Sequence, residues 1–222
     1  YAMCRPPGHH AERGLYGGFC YFNNAAIAAQ YLSAYGRVAV IDLDFHHGNG
    51  TQDIFYYRSD VLTISLHGDP DSAYPYFTGM REETGEGAGQ GYNRNWPLPE
   101  DTGDEAYLAA LDRAVRLVRR FGPAYLIVCL GLDTLRGDPT GFFSLSPDAP
   151  ARMAERLSAL GRPALIVQEG GYNLRNLKQR ATAFFQGWRQ RPGRPRSRRT
   201  KRPPQGPPRD GEAPSSPGKP PA

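Results

Sequence analysis

Residues able to bind a metal ion follow two of the apolar segments of the sequence. Asp44 and His46, separated by one residue, come after segment 37–43, and Asp133 comes after segment 125–132. Side chains two residues apart in an extended chain point the same way, so Asp44 and His46 can coordinate the same metal ion. Three nitrogen and oxygen ligands leave positions for water and substrate, which is typical of a catalytic metal site. Such ligands suit Zn²⁺, and they can also hold Fe²⁺, Co²⁺ or Mn²⁺.

The histidines are unevenly distributed. His9 and His10 are adjacent and follow an Arg-Pro-Pro-Gly turn, while His46 and His47 form a second pair; His67 is the fifth and is interpreted as structural. Two histidines behind a rigid turn can act as general acid and general base. For His9 and His10 taken alone, the alternative is a pair of surface histidines. For Asp44 and His46 taken alone, the alternative is a structural Asp-x-His motif.

Tyr172 follows a Glu-Gly-Gly sequence at the end of another apolar segment. Two glycines make a flexible turn that can present the phenol to a cleft. There its hydroxyl can donate a hydrogen bond to a developing oxyanion. The alternative is a tyrosine that only packs.

Short apolar segments alternate with amphipathic ones, which predicts parallel βα units in a three-layer α/β/α domain with a mostly parallel sheet. In open sheets of this kind the site lies beyond the carboxyl ends of the strands, where the histidines, aspartates and Tyr172 all fall. The predicted strands are 37–43, 61–66, 92–98, 125–132 and 164–168. The predicted helices are 22–32, capped by Asn23 or Asn24, 51–57, 104–121, 151–160 and 174–185.

Composition divides the 222 residues into one domain and a tail. Residues 189–222 contain eight Arg, two Lys, one Asp, one Glu and ten Pro, a net charge of +8, whereas residues 1–188 carry −3. The tail has no residue more apolar than alanine, so we expect it to be disordered. It is either a solvated tail or a tether to nucleic acid or a membrane surface.

The sequence also indicates the cellular compartment of the protein. The longest clean apolar run has nine residues, 124–132, against the roughly 20 that a membrane span needs. We see no secretory signal at the start of the chain. Cys4, Cys20 and Cys129 make an odd number with no close pair, which argues against a disulfide scaffold and favours the cytoplasm.

Seven collinear segments resemble the metal-dependent deacetylase superfamily of histone deacetylases and acetylpolyamine amidohydrolases. They cover most of residues 1–188 and read RPPGHHA, GGFCYFNNAAIAA, IDLDFHHGNGTQ, SLHGDP, ETGEGAGQGYNRNWPL, GLDTLRGDPTG and QEGGYNL. HGDP followed by ETGEGAG is closer to the bacterial acetylpolyamine amidohydrolase-like, class II-like branch than to class I histone deacetylases. The resemblance implies an arginase/deacetylase-like fold and a hydrolase acting on linear amides.

The resemblance implies roles for the metal-binding and histidine residues. Asp44, His46 and Asp133 match the zinc ligands of the family. His9 and His10 match its tandem histidines, of which the second is general base and then general acid, and the first acts mainly through its charge.

Further residues match the family's supporting positions. Asp42 matches the acid that supports His9, and Asn49 stands beside the second histidine, where some members have Asp. Tyr172 matches the tyrosine that hydrogen-bonds the scissile carbonyl. Phe19 matches an aromatic wall of the substrate tunnel, and Gly18 and Gly171 beside these aromatic residues complete the expected substrate-binding set.

The resemblance also implies an inner structural K⁺ site. Its ligands are Asp42, the backbone carbonyls of Asp44, His46 and Leu66, and the side chain of Ser65. A second, more variable monovalent site falls on Phe55, Arg58, Val61 and Tyr92.

The expected function is removal of acetyl groups from N-acetylated amines, with acetylpolyamines or acetyl-lysine as substrates. A protein lysine deacetylase is one alternative, and an inactive domain with a basic, nucleic-acid-binding tail is another. The chain begins at Tyr1, eight residues before His9, whereas family members have a longer stretch there, so we expect an N-terminally truncated domain with an incomplete sheet. The resemblance to the polyamine branch makes a homodimer plausible.

Overall fold

The elements of the fold alternate between strand and helix. A computed structural model of the chain describes residues 1–190. Within them the order is α1 (Asn24–Ser33), β1 (Val38–Asp42), α2 (Asn49–Phe55), β2 (Val61–Gly68), a short 3-10 helix (Gly87–Gly89), β3 (Asn93–Leu98), α3 (Asp104–Phe121), β4 (Tyr125–Leu130), α4 (Ala149–Ser158), β5 (Ala164–Gln168) and α5 (Leu177–Arg189).

The five strands form one parallel sheet in the order β3-β2-β1-β4-β5. The chain winds outward from β1 through β2 to β3, and then returns to β4 on the other side of β1. Because the winding direction reverses between β1 and β4, a crevice forms beyond their carboxyl ends, where such sheets bind ligands. Asp42, the last residue of β1, is in register with Ser65 of β2 and Cys129 of β4.

The sheet is covered by helices on both faces. Ala39 and Ile41 of β1 belong to a core that includes residues of α3, α4 and α5. Val38 and Val40 belong to a second core that includes residues of α1 and α2. This alternation follows from the two-residue period of a strand. The predicted three-layer α/β/α domain with a parallel sheet is confirmed.

Most predicted elements agree with the structure. Helix α3 has the predicted bounds, and its apolar residues face the sheet. Asn23 is the N-cap of α1, and its side chain accepts a hydrogen bond from the backbone N–H of Ala26 at 2.9 Å. Helix α2 begins at Asn49, two residues before the predicted start. Helix α4 begins at Ala149, so Pro150 lies within its first turn, where proline is tolerated.

The last helix lies further along the chain than predicted. Helix α5 begins at Leu177 rather than residue 174, because the backbone N–H groups of Tyr172 and Asn173 donate to the Asp138 carboxylate and hold that segment in a loop. It ends at Arg189, which was predicted to begin the tail; Trp188 stacks on a core phenylalanine and extends the helix. The rest of the predicted tail, from residue 191, lies outside the described residues. Among residues 1–190, no helix combines the length and apolar character that a membrane span requires.

Candidate active site

Asp44, His46 and Asp133 come together beyond the carboxyl ends of β1 and β4. Each offers one ligand atom, and these atoms all lie within 4.8 Å of one another. The Nδ1 atom of His46 is 3.1 Å from Asp44 Oδ1 and 3.2 Å from Asp133 Oδ2. Both carboxylates are buried and His46 is partly exposed. The structure therefore brings the three residues of the predicted metal site into a group that can hold an ion.

Backbone groups fix the direction of both carboxylates. The N–H of Phe45 donates to Asp133 Oδ1 at 3.0 Å, and the N–H of Gly170 donates to Asp44 Oδ2 at 2.7 Å. A Cβ atom at Gly170 would lie 2.5 Å from Asp133 Oδ2 and 2.7 Å from Asp44 Oδ2, so only glycine fits there. Two buried carboxylates facing each other need a cation between them. One imidazole and two carboxylates form the nitrogen and oxygen donor set of a catalytic divalent ion, and the residues fit such an ion.

The charges in this group are strongly coupled. Burial and the Asp44 charge raise the pKa of Asp133 to about 7. Burial lowers the pKa of His46, but its hydrogen bonds to Asp133 and Asp44 outweigh this effect and raise that pKa to about 10. Without an ion, a proton on His46 therefore neutralises part of the carboxylate charge.

His9 and Asp42 form a buried pair beside the metal-binding group. His9 Nδ1 is 2.9 Å from Asp42 Oδ2, and Asp42 Oδ1 accepts a hydrogen bond from the N–H of Asp44 at 3.0 Å. Burial disfavours the imidazolium, but the charges of Asp42 and Asp44 outweigh burial and raise the pKa of His9 well above its ordinary value. His9 is therefore held as a cation.

His10 has the opposite protonation preference. Burial, together with the positive charge of His9, lowers the pKa of His10 well below its ordinary value. The centroids of the two rings are 4.1 Å apart. Its Nδ1 lies 2.7 Å from Asn49 Oδ1, so the structure brings together the predicted pair His10 and Asn49. Neighbouring histidines with pKa values displaced in opposite directions suit different roles in acid–base chemistry.

Glu169 anchors the loop that carries the tandem histidines. Its Oε2 accepts hydrogen bonds from the N–H of Gly8 at 2.8 Å and of His9 at 3.2 Å. Burial raises the pKa of this carboxyl to about 7. The Glu-Gly-Gly-Tyr sequence pattern by itself assigns Glu169 no role. Its position immediately before two glycines at a strand end was the only available signal.

Tyr172 and Phe19 lie at the rim of the site. Their ring centroids are 6.0 Å apart, and the Phe19 side chain is 70% exposed. Burial and the Asp44 charge raise the pKa of Tyr172, which keeps its hydroxyl protonated as a donor. Gly18, with a φ of +54°, packs so closely on His10 that an added Cβ would lie 2.3 Å from the imidazole Cδ2.

Tyr74 was missed by sequence reasoning. It lies in the loop after β2, and its ring meets the His10 ring edge-on at 5.0 Å between centroids and the His46 ring at 6.3 Å. Its side chain forms a further aromatic wall beside the tandem histidines. The only signal was the concentration of aromatic residues at 74–77, just beyond the carboxyl end of β2.

Asp138 and Arg180 were also missed. Asp138 Oδ2 accepts the N–H groups of Tyr172 at 2.8 Å and Asn173 at 3.0 Å. Arg180 Nη1 lies 3.6 Å from the same oxygen and donates to the backbone carbonyl of Leu132 at 3.0 Å. This buried pair ties the Tyr172 loop to the segment that ends in the predicted ligand Asp133.

The predicted K⁺ ligands and His67 lie at or near the carboxyl ends of β1 and β2, at the same edge of the sheet as the site. Asp42 and Ser65, expected to bind K⁺, are side by side in β1 and β2, and Leu66 is the next residue of β2. Ser65 Oγ lies 2.7 Å from His67 Nδ1. His67 is fully buried and its Nε2 donates to the carbonyl of Gly79 at 2.9 Å, which fits its structural interpretation. Gly171 adopts a φ of +137°, a conformation that favours glycine.

Comparison with known proteins identifies the family. Residues 1–188 match the histone deacetylase domain, so this chain belongs to the histone deacetylase domain family. The sequence is 49% identical, over 85% of its length, to acetylpolyamine amidohydrolase of Burkholderia pseudomallei, and 48% identical, also over 85%, to acetylpolyamine amidohydrolase 1 of Pseudomonas aeruginosa. It is 42% identical, over 83% of its length, to histone deacetylase 15 of Arabidopsis thaliana.

Solved structures agree with these relationships. The crystal structure of acetylpolyamine aminohydrolase from Burkholderia pseudomallei superposes with a TM-score of 0.82 at 49% identity, over 83% of this chain and 54% of that one. The HDA15 HD domain superposes with a TM-score of 0.77 at 41% identity, over 82% of this chain and 53% of that one. The predicted resemblance to the acetylpolyamine branch and the arginase/deacetylase-like α/β fold are confirmed. The chain spans about 55% of the length of the two bacterial relatives and 34% of the plant one.

Proposed function

We propose that this chain is the catalytic portion, residues 1–188, of a zinc-dependent amidohydrolase that removes acetyl groups from N-acetylated amines. One observation carries the proposal: a three-residue metal-binding group adjoins two histidines of opposite protonation preference at one crevice. A bound divalent ion polarises an amide carbonyl and lowers the pKa of a coordinated water. Asp44, His46 and Asp133 would hold that ion.

The protein's own residues supply the proton transfers. His10, kept neutral by burial, accepts a proton from the attacking water and returns it to the leaving amine. His9, kept cationic by Asp42, stabilises negative charge that develops nearby. The hydroxyl of Tyr172 donates to the oxyanion as the carbonyl becomes tetrahedral. Acetate and a free amine are the products.

Aromatic side chains around the site support a substrate with an alkyl stem. Tyr74 packs edge-on against His10, Phe19 and Tyr172 face each other at the rim, and Gly18 packs directly on His10. Acetylpolyamines are the first candidate substrates, because the bacterial relatives at 47–49% identity are named acetylpolyamine amidohydrolases. Acetyl-lysine in proteins is the second, because named histone deacetylases of Arabidopsis are 42% identical.

The proposal also covers the identity of the bound metal ions and the cellular compartment of the protein. Zn²⁺ is the proposed catalytic ion, with Fe²⁺ or Co²⁺ as substitutes for the same donors. The adjacency of Asp42, Ser65 and Leu66 supports a structural K⁺ at the carboxyl ends of β1 and β2. The three free cysteines, Cys4, Cys20 and Cys129, support a reducing compartment such as the cytoplasm.

The test is acetate release by the purified, Zn²⁺-loaded full chain from N-acetylputrescine and from an acetyl-lysine peptide. Asp133→Ala removes one proposed ligand and is the control. Release that the control abolishes supports a metal-dependent deacetylase, and the faster substrate identifies the class. A folded, zinc-bound chain that releases no acetate from either substrate would overturn the proposal.

A further inference from the structure

A chain of three polar side chains leads from the candidate general base to the edge of the site. His10 Nδ1 lies 2.7 Å from Asn49 Oδ1, and Asn49 Nδ2 donates to Glu12 Oε1, also at 2.7 Å. His10 is buried, while Asn49 and Glu12 are partly exposed. Glu12 was not among the predicted site residues, and it contacts neither His10 nor the metal-binding group through any hydrogen bond of the described residues.

The chemistry of these groups fixes the direction of every hydrogen bond in the chain. An ionised carboxylate only accepts, so the end of the Asn49 amide that faces Glu12 must be its NH₂ group. The amide oxygen then faces His10 and needs a donor, so Nδ1 of His10 carries the proton. A neutral imidazole has one N–H, and Nε2 is therefore the unprotonated nitrogen.

We propose that Glu12 is a positioning residue that sets the tautomer of His10 by fixing the orientation of the Asn49 amide. Asn49 alone does not set the tautomer, since its amide can present either oxygen or NH₂ to the ring. The acceptor-only carboxylate at its other end removes this freedom. The consequence for catalysis rests on the proposed function, in which Nε2 of His10 accepts a proton.

The backbone holds Glu12 in place for this role. Its own N–H donates to the carbonyl of Leu15 at 2.9 Å. The next residue, Arg13, donates from its backbone to Asp53 at 3.1 Å and from its guanidinium to the carbonyl of Ile54 at 2.7 Å. Asp53 and Ile54 belong to α2, the helix that begins at Asn49. The same helix therefore positions both partners of the Glu12–Asn49 hydrogen bond.

Substitutions of Glu12 separate its hydrogen-bonding role from its bulk. Glu12→Gln keeps the size of the side chain but offers both an oxygen and an NH₂ group, so it can pair with Asn49 without fixing the orientation of that amide. Glu12→Lys offers only donors, so the Asn49 amide must turn its oxygen to the ammonium and its NH₂ to His10. Nδ1 of His10 then becomes the acceptor and Nε2 the protonated nitrogen. Glu100→Lys, at an exposed glutamate in the loop before α3, is the matched charge-reversal control.

The first measurement is the ¹⁵N spectrum of the histidine-labelled full chain at pH 8, with the His10 signals assigned by loss in His10→Ala. We expect the Nδ1–H tautomer in the unaltered chain and in Glu100→Lys, the Nε2–H tautomer in Glu12→Lys, and a mixture of the two in Glu12→Gln. If Glu12→Lys does not fold, Glu12→Ala replaces it and should give a mixture of the two tautomers. An Nδ1–H tautomer alone in the folded Glu12→Lys or Glu12→Ala variant overturns the proposal.

The second measurement is kcat for acetate release. General acid–base catalysis contributes about 10²- to 10⁴-fold, so Glu12→Lys should lose at least about tenfold, Glu12→Gln should lose less than Glu12→Lys, and Glu100→Lys should stay within about twofold. An equal loss in Glu12→Gln and Glu12→Lys would mean that Glu12 acts other than through the amide orientation, and it overturns the proposal. If the unaltered chain releases no acetate, the proposed function fails while the spectra still decide the tautomer.

Discussion

The carboxylate of Asp138 accepts a hydrogen bond from the backbone N–H of Tyr172, with a donor–acceptor distance of 2.8 Å. The same oxygen accepts the N–H of Asn173, and the other carboxylate oxygen accepts the N–H and hydroxyl of Thr140. Asp138 is buried, and Arg180 is its cationic neighbour. The direction of the Tyr172 phenol therefore depends on a carboxylate that is 34 residues away in the sequence.

Replacing Tyr172 by Phe tests the role of the phenol directly. The substitution removes only the hydroxyl, whose proposed function is to donate to the oxyanion. Loss of one such donor costs about 10²- to 10³-fold in kcat, and we expect a loss of at least about 10²-fold here. Steady-state acetate release measures kcat, and zinc content should not change. Turnover equal to that of the unaltered chain would refute the assigned role.

Replacing Asp138 by Asn tests whether Asp138 acts through Tyr172. The amide cannot accept all the hydrogen bonds of the carboxylate, and its NH₂ group faces backbone donors or Arg180. A displaced phenol should lower kcat by about 10- to 10²-fold. In a Tyr172→Phe background, Asp138→Asn should then cause almost no further loss. Equal losses in both backgrounds would indicate a general structural role for Asp138 instead.

The sequence alone predicts the parts of the site that follow strand ends. Asp44 and His46 come after β1, and Asp133 comes after β4. Because the parallel sheet brings the carboxyl ends of these strands together, the position of each residue just after a predicted strand was enough to predict that the three lie close to one another. The periodicity of apolar residues likewise predicted every strand and helix longer than three residues within residues 1–190, with errors of up to four residues at their ends.

The supporting residues were not predictable in this way. Glu12 meets Asn49 across 37 residues, and Arg180 reaches the carbonyl of Leu132 across 48 residues. A glutamate in a loop and an arginine on an amphipathic helix have no local pattern that separates them from solvent-exposed charges. Their roles arise only from tertiary contacts, which determine which polar atoms are buried together.

Zinc binding should release protons. Without an ion, hydrogen bonds to Asp133 and Asp44 raise the pKa of His46 to about 10, so His46 is protonated at pH 7 and must lose that proton to act as a ligand. Affinity should therefore fall by at least about tenfold when the pH is lowered from 8 to 7, because Asp133, with a pKa of about 7, also gains protons in this interval. Calorimetric titration in buffers of different ionisation enthalpy measures the protons released. A binding enthalpy that does not depend on the buffer would contradict this expectation.

Glu169 should make stability depend on pH. Burial raises its folded-state pKa to about 7 from 4.5, so between these values the folded chain retains a proton that the unfolded chain has lost. This carboxyl therefore favours the folded state below pH 4.5, and that contribution is lost as the pH rises through 7. Over this pH range the contribution of Glu169 to the free energy of unfolding should fall by about 3 kcal/mol. Glu169→Gln does not titrate and can still accept from Gly8 and His9.

Urea unfolding of the full chain and of Glu169→Gln between pH 5 and pH 8 measures this effect. The stability of Glu169→Gln relative to the unaltered chain should rise across that interval and level off above pH 7. The quantity to compare is how the difference in unfolding free energy between the two proteins changes with pH. Any pH-independent effect of the new amide on stability does not alter that change. Parallel stability curves for the two proteins would show that Glu169 titrates normally in the folded state.

Gly170 should contribute to tight metal binding, although it has no side chain to offer. An added Cβ would lie 2.5 Å from Asp133 Oδ2 and 2.7 Å from Asp44 Oδ2, so Gly170→Ala must push the two carboxylates apart. Disturbing the surroundings of metal ligands typically weakens binding by about 10- to 100-fold, and we expect a loss in that range for Zn²⁺. Competition with a chromogenic chelator measures the affinity.

Gly14→Ala is the matched control, because a Cβ there meets nothing within 4 Å. If Gly170→Ala binds Zn²⁺ as tightly as Gly14→Ala, the metal does not occupy the space between Asp44 and Asp133.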